Sequence, residues 1–171
     1  MAFIGLCNPK SPSNVGAIMR AAGCYQADQV YYTGARFDRA ERYRTDTKKA
    51  HQTVPLKQVV DFTESMPSGM KLVCVELVEG AMALPEFEHP KQAMYVFGPE
   101  DASIPQHLVD LADHVVYVPT IGCMNLAASV NVLLYDRLAK SDGRKQDGSI
   151  VLSSRDVNNR LKVKTIVRAK V

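Results

Sequence analysis

Three short constellations in this chain hold residue types that could read a phosphate, orient a donor group or do acid and base work. Asn14-x-Gly16-x-x-x-Arg20 sets a guanidinium four residues after a glycine. On a helix the missing side chain of Gly16 lets another backbone or a ligand approach that cation. Near a helix start such an arginine reads as a phosphate contact, or simply as a surface arginine. Gly98-Pro99-Glu100 sets a carboxylate two residues after a glycine, where it can orient a donor group or bind a cation. Glu100-Asp101 can also be read as paired carboxylates for acid and base work, although Ser103 and Pro105 follow and favour a capping role at the next helix. The third constellation runs from Pro119 through Gly122 to Asn125, an asparagine well suited to cap a helix.

Other chemistries lack their residues. His51, His89, His107 and His114 are scattered without HxH or HExxH spacing, and no metal site is expected. Cys7, Cys24, Cys74 and Cys123 form no CxxC pair and read as small buried hydrophobes in a reducing compartment. No GxGxxG follows the first strand and no GxxxxGK[ST] occurs, which removes the main support for dinucleotide-fold dehydrogenases and P-loop NTPases.

The elements that must position these residues alternate along the chain. Val115–Val118 is a β-branched and aromatic strand; after the Pro119 break, Leu126, Val130, Leu134 and Leu138 recur every four residues as a long helix, with Val132 and Leu133 widening its apolar face. Ala2–Leu6 reads as the first strand. Val15, Ile18, Met19 and Ala22 mark an amphipathic helix capped by Ser13 or Asn14 and closed by a left-handed Gly23. Gln29–Tyr32 completes a β–α–β unit, so the sheet is parallel. Arg36–Ala50 reads as a mobile loop or a solvated helix, Leu56–Thr63 as a short helix, Lys71–Val78 and Ala93–Phe97 as strands, Gln106–Ala112 as a helix and His114–Val118 as the fifth strand. The expected architecture is an α/β fold with a five- or six-stranded parallel sheet flanked by helices. A loop between a strand end and a helix start is where ligands sit in such sheets.

The 171 residues suit one domain, and 46% hydrophobic with 23% charged residues disfavours disordered and membrane classes. No apolar run approaches the ~20 residues of a membrane span, and the N-terminus lacks a secretory pattern, so a cytoplasmic protein is expected. Net charge is only +3, but its distribution is uneven. Asp61–Asp113 holds ten acidic residues against Lys71 and Lys91, whereas Arg36–Ala50 carries six basic against three acidic and Ser141–Val171 eight against three. Two basic segments around an acidic middle point to a polyanion-facing side, or to ordinary solvated faces.

NPKSPSNVGAIMRAAGCYQADQVYY, YVFGPEDASIP and VVYVPTIGCMNLAASVNVLLYDRL together resemble the SpoU branch of the SPOUT RNA methyltransferases, over about residues 2–140. The resemblance implies a trefoil knot at the C-terminal end of the fold, S-adenosylmethionine (SAM) as cofactor, a homodimer with sites at the interface, and methylation of a ribose 2′-hydroxyl in RNA, with tRNA favoured over rRNA. Carried over by position, Arg20 would hold RNA phosphate or stabilise a developing alkoxide, since an arginine is too permanently protonated to act as a base. Asn14 would orient Arg20 or the RNA, Glu100 would position loop or substrate groups, and Asn125 would brace the knot loop. Leu77, Gly98, Val118, Met124 and Leu126 match the positions that line the cofactor pocket.

This chain departs from the family pattern in having Asp101 and Ser103 where glycines are usual, a shorter Pro119–Asn125 loop, and Cys123 and Ala127 where serines are usual. Without a separate RNA-binding domain, RNA contact is expected from the dimer surface, from Arg42, Arg44, Lys48 and Lys49, and from the basic residues 141–171, which could equally pack on the partner subunit. The methyltransferase domain is expected over 1–140. The rival readings are an RNA-binding protein that kept the fold and lost the cofactor, and an α/β enzyme for another small ligand.

Overall fold

Ala2–Leu6 is a run of five apolar residues buried throughout, and it forms β1 near the middle of the sheet. The structure is a computed structural model that describes residues 1–41, 54–141 and 149–163. Arg42, Arg44, Lys48 and Lys49 therefore lie outside the described residues. The chain divides into two units, Met1–Lys140 and Ser141–Val171. In the second, the described element is the short helix α5, Ser149–Ser154.

In the first unit β1 is followed by α1 (Pro12–Cys24), β2 (Gln29–Tyr32), α2 (Arg36–Glu41), β3 (Leu56–Gln58), β4 (Lys71–Val75), β5 (Met82–Ala83), β6 (Ala93–Phe97), α3 (Gln106–Leu111), β7 (His114–Tyr117) and α4 (Leu126–Ala139). The strands form one parallel sheet in the order β3-β2-β1-β6-β4-β7-β5. Strands covered on both faces read as continuous apolar runs, which is why AFIGL and AMYVF sit centrally. Alternate side chains serve opposite faces. Ile4, Leu6, Val73, Val75, Tyr95 and Phe97 join the core beneath α1 and α4, while Phe3, Leu72, Cys74, Met94 and Val96 join the core on the other face, with Leu108 of α3.

The sheet has seven strands rather than five or six, because β3 and β5 are edge strands of three and two residues, too short to leave a pattern. Leu56–Thr63 is not a helix. Leu56–Gln58 pairs with Val30–Tyr32 instead, the sheet edge supplying hydrogen bonds that override a weak local preference, and a 3-10 turn follows at Thr63–Ser65. The third predicted strand stops at Val75, which leaves Glu76–Val78 beyond the ladder. α1 is capped by Ser11 rather than Ser13 or Asn14: Ser11 accepts from the Asn14 amide, and Pro12, which has no N–H to satisfy, takes the first turn. Its C-terminal end runs through Gly23 to Cys24, and the left-handed residue is Gln26, at φ 56°. Arg36–Glu41 is helical but not merely solvated, since Phe37 is buried edge-on against Tyr32 at 5.2 Å. In α4 Val132 faces outward rather than widening the buried face, and two of the four cysteines, Cys24 and Cys123, are exposed.

Candidate active site

Because β4, β6 and β7 are parallel, their carboxyl ends open side by side at Glu76, Gly98 and Val118. Chain leaving a parallel sheet here presents backbone amides and carbonyls that no strand neighbour uses. A cavity of about 360 Å³ lies at this edge, within the usual range for small-molecule sites. Leu77, Gly98, Val118, Met124 and Leu126, five positions from three separated segments, all line it.

Glu100 does not cap α3, whose N-cap is Pro105 with no side-chain bond. Its carboxylate instead holds the start of α1: Oε2 accepts from the Lys10 amide at 2.8 Å, and Oε1 accepts from the Ser11 amide at 3.0 Å and from Asn14 Nδ2 at 2.9 Å. Partial burial pushes the Glu100 pKa up, but these hydrogen bonds outweigh it and hold the carboxyl below its usual range. It is therefore an anion and an acceptor at neutral pH, which removes the general-acid reading of the Glu100-Asp101 pair. Asp101 has a different task, taking Arg36 through both guanidinium nitrogens at 2.9 and 2.8 Å, with Lys10 Nζ at 3.7 Å.

Asn14 passes the constraint on. Its Oδ1 accepts from Asn125 Nδ2 at 3.0 Å, while Asn125 Oδ1 accepts from the amides of Ala127 and Ala128 as the N-cap of α4. One chain of hydrogen bonds thus ties the loop after β6, the start of α1 and the start of α4. Asn125 is both the helix cap and a brace between loops.

Arg20 is not in that cluster. It lies on the exposed side of α1, six residues beyond Asn14, which is ~9 Å along the axis and ~120° around it. Ala17, Arg20 and Cys24 share the outward face of α1, a helix that packs against α4.

Glu76 is the lining residue that motif reading passed over. It directly follows the buried run of β4, it is half-buried, and its two carboxylate oxygens accept from the amides of Leu77 (3.1 Å) and Ile104 (2.9 Å). The signal in the sequence was an acidic residue at the end of an apolar strand, in VCVELV. Gly98 is explained by the same contact, because a Cβ there would stand 3.1 Å from both Glu76 Oε2 and the Ile104 nitrogen.

The model of the SpoU rRNA Methylase family matches residues 1–135. Among solved structures, the chain is similar to the TrmH/SpoU tRNA modifying enzyme of A. aeolicus, with a TM-score of 0.70 and 21% identity over 81% of this chain and 74% of that one. It is similar also to the SpoU methyltransferase AviRb of Streptomyces viridochromogenes, solved in complex with the cofactor AdoMet (TM-score 0.66, 20% identity, 81% of this chain and 57% of that one). A structure described for 2-OH methylation of C/U34 on tRNA aligns at a TM-score of 0.64 and 22% identity, over 82% of this chain and 95% of that one. At these identities the likeness is one of fold. No curated protein matches. With the family model spanning 1–135 of 171 residues, this chain belongs to the SpoU rRNA Methylase family.

Proposed function

We propose that the protein is a SAM-dependent RNA methyltransferase that acts on a ribose 2′-hydroxyl, preferentially in tRNA, as a homodimer. The observation that carries the reading is the cavity at the ends of β4, β6 and β7, lined by Leu77, Gly98, Val118, Met124 and Leu126 within a SpoU family fold.

The residues fit SAM. Leu77, Val118, Met124 and Leu126 offer apolar surface for an adenine ring, and Gly98, whose side-chain space is taken by Glu76 and Ile104, adds backbone to the cavity wall. When bound, the cofactor supplies an electrophilic methyl on a sulfonium, which passes to the ribose oxygen as the hydroxyl proton leaves to water. The protein's share is placement, because methyl transfer needs the acceptor oxygen held in line more than it needs covalent help. Asn125, Asn14 and Glu100 hold the loops around the cavity through their hydrogen bonds. Arg20 binds the RNA phosphate or stabilises the developing alkoxide by its charge.

A homodimer gives Arg20 a site to serve. Ala128, Val132, Tyr135 and Ala139 form an exposed, mostly apolar stripe along α4, which packs against α1, and a second copy covering the exposed faces of both helices would bring Arg20 into the interface. The trefoil knot, in which the C-terminal loop and α4 would thread through an earlier loop, belongs to the same proposal. The preference for tRNA takes its support from relatives described as a tRNA modifying enzyme and as acting on C/U34 of tRNA.

Titration calorimetry with S-adenosylhomocysteine tests the reading. Micromolar affinity, about −8 kcal/mol, followed by methylation of tRNA by the wild type and not by Arg20→Ala, is the expected result. A folded protein that binds RNA and no S-adenosylhomocysteine would overturn it in favour of an RNA-binding protein.

A further inference from the structure

Among the described residues the cavity is lined by three carboxylates, Glu76, Glu100 and Asp101, and by no lysine, arginine or histidine. Asp101 is ion-paired, and Glu100, which like Glu76 has no ion-pair partner among the described residues, has three donors against Glu76's two. Glu100 faces the amides of Lys10 and Ser11 and the Asn14 amide group, and Asp101 faces Arg36 and Lys10. Glu76 has no ion-pair partner among the described residues: its hydrogen-bond donors are the neutral amides of Leu77 and Ile104, one to each oxygen. A carboxylate has room for about four hydrogen-bond donors, so half of its accepting capacity remains. Gly98 keeps this arrangement possible, since a side chain there would press on Oε2 and on the Ile104 nitrogen. The fold thus holds a negative charge rigidly at the cavity wall, through two backbone segments, without neutralising it.

We infer that Glu76 makes this site select a positively charged nucleoside ligand over its neutral counterpart, so that SAM is held more tightly than the S-adenosylhomocysteine left after transfer. This rests on the SAM reading above and adds a specificity residue to it. The sulfonium is the one charge that transfer removes, while the ammonium and carboxylate of the amino-acid tail are common to both molecules. In a cavity of about 360 Å³ a ligand cation lies within roughly one Debye length, ~8 Å, of Glu76, and the protein walls screen less than water. Loss of the charge on transfer therefore loosens the product and favours its exchange.

The test is titration calorimetry of the full chain with SAM, with sinefungin, in which a protonated amine replaces the methylsulfonium, and with S-adenosylhomocysteine. Glu76→Gln is expected to weaken SAM and sinefungin about tenfold while S-adenosylhomocysteine stays within about twofold, and Glu76→Asp to recover part of the lost preference. Equal losses for all three ligands, or no loss for any, would overturn the inference. If Glu76→Gln does not fold, the wild type still decides. Its preference for SAM over S-adenosylhomocysteine should shrink as salt rises, and a preference that is absent or independent of salt would sink the idea. A wild type that binds S-adenosylhomocysteine but shows no preference removes only this inference, whereas a wild type that binds none of the three removes the SAM reading with it.

Discussion

Three hydrogen bonds converge on Glu100, and two of their donors are the backbone amides of Lys10 and Ser11, at the start of α1. These bonds are exposed, so Glu100→Ala is expected to lower the unfolding free energy by only about 0.5–1.5 kcal/mol in urea titrations. The sign of its pH dependence follows from a folded pKa below the unfolded one. The stabilisation is present above the unfolded value, near ~4.3, and is lost as pH falls through the folded value, so wild type and variant should converge in acid. Gly98→Ala tests the neighbouring residue. Its Cβ would meet the Ile104 backbone nitrogen and Glu76 Oε2 at 3.1 Å, so the loop must shift by a few tenths of an ångström. Overpacking of this kind costs ~1–3 kcal/mol, and S-adenosylhomocysteine affinity measured by calorimetry should fall while the fold persists.

At the scale of an element, the last turn of α4 is fastened to the sheet by a polar network rather than by apolar contact alone. Arg137 donates to the hydroxyl of the fully buried Tyr95 at 2.7 Å and to the carbonyls of Pro90, Lys91 and Met1. Lys140 donates to the carbonyls of Leu84 and Phe87 and pairs with Asp136. His89 sits between them, Nδ1 at 2.8 Å from the Tyr95 hydroxyl and Nε2 at 2.9 Å from Asp136. Arginine can only donate, so the arrangement that satisfies every group has Tyr95 giving its proton to Nδ1 and a neutral ring giving Nε2–H to Asp136. Burial lowers the His89 pKa; Asp136 opposes this, and the charges of Arg137 and Lys140 support it. With the folded pKa below the unfolded ~6.5, the unfolded chain binds the extra proton first. Stability is full above that value and falls as pH drops towards the folded one. The melting temperature of the wild type should decline as pH falls below about 6.5, and His89→Gln should flatten that decline.

For the whole molecule, the same stripe on α4 carries a prediction about assembly. Tyr135→Glu or Val132→Glu places a charge in the proposed interface, and light scattering should show a dimer for the wild type and a monomer for the variants. Because Arg20 lies outside the hydrogen-bonded cluster at the cavity, the monomer should keep its affinity for S-adenosylhomocysteine within about twofold and lose methyl transfer by ~10²-fold or more. Arg20→Ala should show the same split while remaining a dimer. Equal activity of monomer and dimer would separate Arg20 from the reaction.

Runs such as AFIGL, KLVCV and AMYVF determine the parallel sheet by themselves, because a strand buried on both faces needs unbroken apolar residues and nothing from its neighbours to be recognised. The helix capped by Asn125 was equally legible, its cap and its four-residue repeat being local. Residues that reach across the chain were not. Glu100 was visible as a carboxylate, but its partners at Lys10, Ser11 and Asn14 lie 86–90 residues away, and no local pattern encodes such a contact. Only the tertiary structure turned Gly98 from an open backbone into the space that Glu76 and Ile104 require. It also added β3 and β5, whose few residues become strands because β2 and β7 offer them hydrogen bonds. Sequence determined which segments are strand and helix, through short-range periodicity. Packing decided which donors each cavity carboxylate takes, and left Glu76 with two neutral ones.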